Sequence, residues 1–132
     1  MSIIYLRSYK NGTGNLIPLE IEKEYPTFRV KRLFYAYGFE PGELRGEHAH
    51  YTTNQLLICL QGKVHVELFD GKVIKKYLLV ENTALFVPKG IWDSELYITG
   101  KEILLVLSDT EYDRSDYIED PQKYLEYANQ HV

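Results

Sequence analysis

Two histidines separated by one residue are the first feature of this sequence that could carry out chemistry. His48 and His50 flank Ala49, and the chain contains 4 histidines among its 132 residues. Residues two apart in a β-strand point to the same face, so both imidazoles would project into one space. Imidazole gains and loses a proton near neutral pH, which suits a general acid or base. The pair therefore predicts a proton-transfer site carried by a strand.

The segment around the histidines is punctuated by glycines and ends in an apolar run. Gly42 and Gly46 precede the pair, a polar corner spans 51–55, and the apolar run spans 56–60. Gln61-Gly62-Lys63 indicates a turn into another strand. The run contains Cys59, which has no second cysteine with which to form an intrachain disulfide. We expect Cys59 to be a small buried side chain.

Composition argues against several classes of partner. The formal net charge is -4, so no overall positive field favours nucleic acid or an anionic membrane. No apolar run approaches the roughly 20 residues of a membrane-spanning helix, and no secretory signal opens the chain. We therefore expect a cytoplasmic protein in which a few local arginines or lysines would hold any bound anion.

The spacing of the turn signals predicts an all-β protein with one domain over 1–132. Turns recur about every 8 to 12 residues without helical periodicity between them, which is typical of a sandwich or barrel. Asp70-Gly71 predicts a tight hairpin. Asp120 and Pro121 fit the cap and first residue of a short helix over 121–129. The predicted strands cover 2–7, 16–21, 28–37, 64–68, 73–80, 84–87, 95–98 and 103–107.

The glycine and histidine spacing resembles the two motifs of the cupin superfamily. The first motif corresponds to Gly42, His48, His50, Gln55 and Gly62, and the second to the segment 88–93, which ends at Asp93. This resemblance implies an antiparallel β-barrel of the jelly-roll type with a site inside its mouth. Metal-binding cupins carry glutamate and histidine where this chain has Gln55 and Asp93. Because a neutral amide is a poor ligand for a first-row divalent metal, we expect no metal here.

Nearly the whole chain, from Gly14 to about Tyr127, also resembles the sugar 3,4-ketoisomerases. The most specific segment is Arg45-Gly46-Glu47-His48-Ala49-His50, supported by 30–35, 56–62, 108–109 and 116–118. The resemblance implies a homodimeric isomerase of deoxysugar biosynthesis that converts dTDP-4-keto-6-deoxyglucose to the 3-keto sugar without a cofactor. One departure is Thr13, where many members carry an arginine that can meet the diphosphate.

Moving a ketone from carbon 4 to carbon 3 requires removal of the proton on carbon 3, an enediolate, and protonation of carbon 4. No net oxidation occurs, so two acid-base groups suffice. We predict that His48 and His50 supply them, with a preference for His50 as the base. The other predicted site residues are Tyr35 as donor to the developing oxyanion, Arg45 as the diphosphate ligand that the resemblance implies, and Gln55, Arg32 and Trp92 as further substrate contacts.

Three other functions fit the same residues. A metal-dependent cupin enzyme could use His48, His50 and Asp93 as two histidines and a carboxylate. A nucleotide-sugar 3,5-epimerase shares the broad fold, and a non-catalytic sugar-binding module would not need the histidines for affinity. The sequence also leaves open whether the product has the galacto or the gluco configuration.

Overall fold

Two five-stranded antiparallel sheets face each other in this protein. The computed structural model describes residues 2–131. Within that range the first sheet has the order β1-β9-β6-β11-β4, the second has the order β12-β5-β10-β7-β8, and β2 pairs with β3. The elements are β1 (Ile3–Tyr5), β2 (Tyr9–Asn11), β3 (Gly14–Leu16), α1 (Ile21–Glu24), β4 (Arg32–Ala36), β5 (Glu43–His50), β6 (Gln55–Gln61), β7 (Val64–Phe69), β8 (Ile74–Leu79), β9 (Thr83–Val87), β10 (Trp92–Tyr97), β11 (Ile103–Ser108), a 3-10 turn (Arg114–Asp116), β12 (Tyr117–Ile118) and α2 (Pro121–His131).

This architecture confirms the predicted all-β fold with a short C-terminal helix. The helix runs two residues beyond the predicted end, and the side chain of Asp120 accepts a hydrogen bond of 3.0 Å from the backbone N–H of Lys123. The Asp70-Gly71 hairpin joins β7 to β8, and Asp70 Oδ1 accepts hydrogen bonds from the backbone N–H groups of Lys72 and Val73. The early chain differs from the prediction. The strand predicted over 16–21 does not form, because Leu16 ends the hairpin β2–β3, residues 17–20 have no regular structure, and Ile21 begins the short helix α1.

The core lies between the two sheets. Alternate residues of the facing strands meet there, among them Leu57 and Cys59 of β6, Val66 of β7 and Val106 of β11. Cys59 is fully buried, as expected, and burial raises the pKa of its thiol to about 11. An apolar cluster therefore joins the two sheets, and the buried polar side chains Gln55, Asp93, Ser108 and Asp116 lie towards the end that carries the histidines.

Helix α2 covers part of the outer face of the second sheet. Ala49 and Ile118 of the sheet pack against Tyr124 and Ala128 of the helix. Because Ala49 points outwards to α2, strand alternation turns His48 and His50 inwards. The helix thus determines which face of β5 is covered and leaves the histidines on the other face. No helix within residues 2–131 is long and apolar enough to span a membrane.

Candidate active site

His50 is held by a buried carboxylate from the distant end of the chain. Its Nδ1 lies 2.9 Å from Oδ2 of Asp116. Asp116 also accepts 2.7 Å bonds from the backbone N–H and hydroxyl of Thr52, and a bond from the Thr53 hydroxyl. Burial raises the pKa of Asp116, but these hydrogen bonds outweigh that effect and hold the pKa below its usual range. The ionised carboxylate therefore accepts from Nδ1–H of His50 and leaves the Nε2 lone pair unprotonated.

The environment of His50 keeps its ring neutral at neutral pH. Burial and the neighbouring His48 lower the pKa of His50, and the contact with Asp116 only partly opposes them. The residue is 5% exposed, and Nε2 is enclosed with no hydrogen-bond partner among the described residues. His50 is thus a buried, neutral imidazole whose orientation is fixed by Asp116.

His48 adopts the same tautomer but is accessible. Its Nδ1 lies 3.1 Å from the carbonyl oxygen of Gly46, which can only accept, so Nδ1 carries the hydrogen. The ring lies edge-on to that of His50, with centroids 5.0 Å apart. The side chain is 21% exposed and lines a cavity of about 230 Å³ together with Tyr112, Arg114, Tyr117 and Glu119. Nε2 is therefore the nitrogen that can accept a proton from a bound molecule.

A β-bulge brings Arg45 and His48 to the same face. Asp93 pairs with His48 and Ser94 with Gly46, so Glu47 is an extra residue in β5. Gly46 and Glu47 have φ values of 80° and 58°, a conformation that glycine adopts readily and that bulges often require. Residues three apart in a regular strand would point to opposite faces. The bulge therefore explains the spacing between the arginine and the first histidine.

Two buried acids face the histidines from β10. Asp93 pairs directly with His48, and its Oδ1 lies 3.8 Å from Nε2 of that histidine. Glu95 lies two residues further along the same face, and its Oε2 is enclosed without a hydrogen-bond partner among residues 2–131. Desolvation by burial raises the pKa of both carboxyl groups. The interior next to His48 therefore contains two acids that resist ionisation.

Arg32 and Gln55 reach this interior from the first sheet. Strand β11 lies between β4 and β6, and its Ser108 is paired with Arg32 of β4 and with Gln55 of β6. The amide of Gln55 donates to the Ser108 hydroxyl over 3.1 Å, and Arg32 donates to the Tyr117 hydroxyl over 3.4 Å. Tyr117 lies against both histidine rings, with centroids 5.1 Å from His48 and 4.4 Å from His50. Arg32 and Gln55 are therefore brought to the histidine side of the barrel, and their role as substrate contacts stays a prediction.

Arg45 lies at the rim of the same interior. Its side chain is 60% exposed, and Nη1 lies 3.0 Å from Oε2 of Glu43. The guanidinium also lies over the ring of Phe39, 5.6 Å from its centroid. The residue is placed to meet a charged group arriving from solvent, and its present partner is exposed enough to be exchanged.

Tyr35 and Trp92 do not reach the histidines, which corrects two of the predicted site residues. Tyr35 pairs with Leu105, whose side chain packs on the outer face, and its ring stacks on that of Tyr37. Trp92 precedes the inward-facing Asp93 and packs outside against Tyr124 of α2, with centroids 5.3 Å apart. Strand alternation explains both placements, because each residue is adjacent in sequence to an inward-facing one.

Asp116 and Tyr117 are site residues that sequence reasoning did not assign. They lie 66 and 67 positions after His50 in sequence number, and only the pairing of β12 with β5 brings Tyr117 opposite His50. The segment Asp116-Tyr117-Ile118 is one of those that resemble the ketoisomerases, and this resemblance was the only sequence feature that pointed to the two residues. No group of three or more His, Cys, Asp or Glu side chains in the described part of the chain is arranged to hold a metal ion.

Comparisons with known proteins give one consistent result. A family model described as "FdtA: WxcM-like, C-terminal" matches residues 1–129. The TDP-4-oxo-6-deoxy-alpha-D-glucose-3,4-oxoisomerase of Aneurinibacillus thermoaerophilus is 30% identical over 126 residues, which cover 95% of this chain and 90% of that protein.

Solved structures agree with the sequence comparisons. A 3,4-ketoisomerase from Helicobacter canadensis is 34% identical and has a TM-score of 0.90, with 98% of this chain and 97% of that chain covered. A histidine-to-asparagine mutant of the 3,4-ketoisomerase QdtA from Thermoanaerobacterium thermosaccharolyticum, in complex with TDP-4-keto-6-deoxyglucose, is 28% identical. Its TM-score is 0.91, and 99% of this chain and 95% of that chain are covered.

Proposed function

This chain belongs to the FdtA family of WxcM-like C-terminal proteins and is a sugar 3,4-ketoisomerase, and we propose that it acts by proton transfer at His48. Its substrate is a dTDP-linked 4-keto-6-deoxy sugar, the class of molecule bound by the solved relative. The observation that carries the mechanism is the geometry of His48. The ring of His48 lines a polar cavity, and its Nδ1 is already hydrogen-bonded to the carbonyl oxygen of Gly46, so Nε2 is the nitrogen left for the substrate.

His48 moves the proton between the two carbon atoms. The hydrogen on carbon 3 is acidic because carbon 4 is a ketone, and Nε2 of His48 accepts it to leave an enediolate. The same nitrogen then returns a proton to carbon 4. The sequence favoured His50 for this step, but Nε2 of His50 is enclosed. A base must contact the hydrogen that it removes, so accessibility favours His48.

His50 supports this step as a neutral neighbour. A proton on His48 repels a proton on His50, which is one of the causes that lower the pKa of His50. Together with burial, this keeps the pair to a single positive charge when His48 holds the substrate's proton. Asp116 orients the ring of His50, and the edge-on contact holds the ring of His48 in turn.

The rim arginine binds the diphosphate. Arg45 is exposed beside the interior, and guanidinium suits a phosphate group because it forms two parallel charge-assisted hydrogen bonds. Arg32 lies deeper, next to Tyr117 and close enough to His50 to lower its pKa. We assign Arg32 and Gln55 to the sugar end of the substrate.

The assembly and location are proposed on other grounds. The outer face of edge strand β4 and the residue after it expose Leu33, Tyr35 and Tyr37. Aromatic residues are enriched in protein interfaces, which supports a homodimer that covers this surface. The net charge of -4 supports a protein that does not bind nucleic acid, and we propose a cytoplasmic location.

Incubation with dTDP-4-keto-6-deoxyglucose in deuterated water tests the function, with the product read by NMR. We expect the ketone to move to carbon 3 and carbon 5 to keep its hydrogen. The configuration at carbon 4 then distinguishes the galacto from the gluco product. A ketone that stays at carbon 4, with deuterium entering carbon 5, would instead indicate an epimerase.

A further inference from the structure

The isomerisation requires a second proton transfer that His48 does not perform. One hydrogen moves from carbon 3 to carbon 4, and another must move from the oxygen on carbon 3 to the oxygen on carbon 4. His48 has one reactive nitrogen, because Nδ1 is bonded to Gly46. Nε2 of His50 is enclosed. A further group is therefore needed within reach of the two sugar oxygens.

Asp93 lies where such a group is required. It is directly opposite His48 on the neighbouring strand, and its Oδ1 is 3.8 Å from the reactive Nε2. A carbon in contact with Nε2 carries its oxygen about 1.4 Å away, within hydrogen-bond reach of a carboxyl group so placed. Glu95, the second buried acid, is paired with Arg45 and lies further along β10. Of the two acids, Asp93 is therefore the one beside the reactive nitrogen, where a molecule bound at His48 would meet it.

We propose that Asp93 is a catalytic residue that relays the hydroxyl proton from oxygen 3 to oxygen 4. This inference rests on the proposed ketoisomerase function. The two oxygens of one carboxyl group are spaced to meet two oxygens on adjacent carbons at once. One carboxyl oxygen accepts the proton from oxygen 3, and the carboxyl group then donates a proton to oxygen 4.

The atoms and electrons balance without a co-reactant. Nε2 of His48 takes the proton from carbon 3, the freed electron pair forms the carbon–carbon double bond, and the carbonyl pair moves onto oxygen 4. Asp93 transfers the proton from oxygen 3 to oxygen 4. The electron pair left on oxygen 3 forms the new carbonyl group at carbon 3. The electrons of the carbon–carbon double bond then form the new bond from carbon 4 to the proton that His48 returns. Both side chains return to their starting states.

Burial suits Asp93 to this role. The side chain is 4% exposed, so bulk water competes little for its proton. Glu95, on the same face, adds a second acid whose negative charge would oppose that of Asp93. A carboxyl group that exchanges a proton easily with sugar hydroxyls must not be held ionised by strong partners. Asp116 shows the opposite environment, with several donors that stabilise its charge.

The test separates the two proton transfers by comparing exchange with isomerisation. In Asp93→Asn the amide keeps the shape but cannot relay a proton. We expect isomerisation to fall by about two to four orders of magnitude, while solvent deuterium still enters carbon 3 because His48 still forms the enolate. Parental isomerisation would overturn the proposal. So would an equal loss of exchange and isomerisation in a variant with a parental melting temperature.

A control and a second variant complete the experiment. Glu126→Gln removes a carboxylate from an exposed position of α2 that does not line the cavity, and we expect its ratio of exchange to isomerisation to match the parent. A raised ratio in Glu126→Gln would contradict the assignment of the relay to Asp93. In Asp93→Ala we expect formate, but not formamide, to restore isomerisation, and absence of rescue would contradict the relay. A parent protein that does not isomerise the sugar would reject the proposed function itself.

Discussion

At the scale of single residues, the two histidines differ in which atoms surround Nε2. In both rings Nδ1 carries the hydrogen and donates a hydrogen bond. The acceptor is the carbonyl oxygen of Gly46 for His48 and the carboxylate of Asp116 for His50. The ring of His48 lines a cavity, whereas Nε2 of His50 is enclosed. The surroundings of the two histidines therefore make His48 the proton carrier and His50 its neutral neighbour.

Replacing Asp116 by Asn should change the tautomer of His50. The amide can offer an N–H group to Nδ1, which removes the reason for hydrogen to reside there. We expect ¹⁵N NMR of the ring to show a larger fraction of the Nε2–H form, and turnover to fall by about ten- to a hundredfold, below the worth of a direct acid or base. An unchanged tautomer would contradict the orienting role of Asp116.

The same substitution should alter stability with pH in a defined direction. The folded-state pKa of Asp116 is lowered, so its contribution is present above the unfolded pKa of about 3.9 and is lost as the pH falls. The parent should therefore be more stable than Asp116→Asn at pH 7, and the difference should shrink below about pH 4. Melting temperatures at several pH values measure this difference.

Replacing Arg45 by Ala should weaken substrate binding more than turnover. A hydrogen bond to a charged group contributes roughly 1.5–3 kcal/mol, or about ten- to a hundredfold in affinity. We expect KM to rise by that factor with kcat nearly unchanged. Lys123→Ala, which removes an exposed positive charge from α2, is the matched control. An unchanged KM in folded Arg45→Ala protein would place Arg45 outside the binding site.

At the scale of elements, strand alternation determines much of the site and could be read from the sequence. Arg32 and Tyr35 are three residues apart in the strand predicted over 28–37, and the strand period of two puts them on opposite faces, so only one of them could share the interior with the histidines. The structure brings Arg32 inwards and stacks Tyr35 on Tyr37 outside. The sequence predicted the two faces, but it could not show which face the second sheet would cover.

Contacts between distant segments account for what the sequence could not predict. The bulge at Gly46 and Glu47 is a local shift in pairing with β10, and no spacing rule identifies it without the partner strand. A side chain at Gly46 would overlap the carboxyl group of Glu95, which explains the glycine. The bond between His50 and Asp116 likewise depends on the pairing of β12 with β5. The histidine pair was visible in the sequence, but these supports were not.

The burial of Glu95 in strand β10 should destabilise the folded protein once the carboxyl group ionises. Burial raises the folded-state pKa of Glu95, so its favourable contribution is present below the unfolded pKa of about 4.3 and is lost as the pH rises. Glu95→Gln should therefore gain melting temperature over the parent as the pH rises from 4 to 8. Glu126→Gln, on an exposed part of α2, should show no such trend. A difference that is independent of pH would contradict the burial argument.

At the scale of the whole molecule, the exposed face of β4 should mediate association. Leu33→Glu combined with Tyr35→Glu places two charges on this surface. Because charge is costly to bury in an interface, we expect light scattering to show half the parental mass. Tyr35→Phe should keep both the parental mass and the parental turnover. Lost turnover in Tyr35→Phe would return Tyr35 to the active site, and an unchanged mass in the double variant would exclude this face.

In the whole molecule, the two sheets leave His48 as the accessible member of the histidine pair, and we propose that its imidazole moves the carbon-bound proton. The decisive experiment is His48→Asn assayed with dTDP-4-keto-6-deoxyglucose in deuterated water, and His65→Asn is the control because His65 lies exposed on β7. We predict that His48→Asn binds dTDP as the parent does, loses deuterium exchange at carbon 3, and isomerises about two to four orders of magnitude more slowly. Exchange and isomerisation at the parental rate in folded His48→Asn protein would contradict the mechanism.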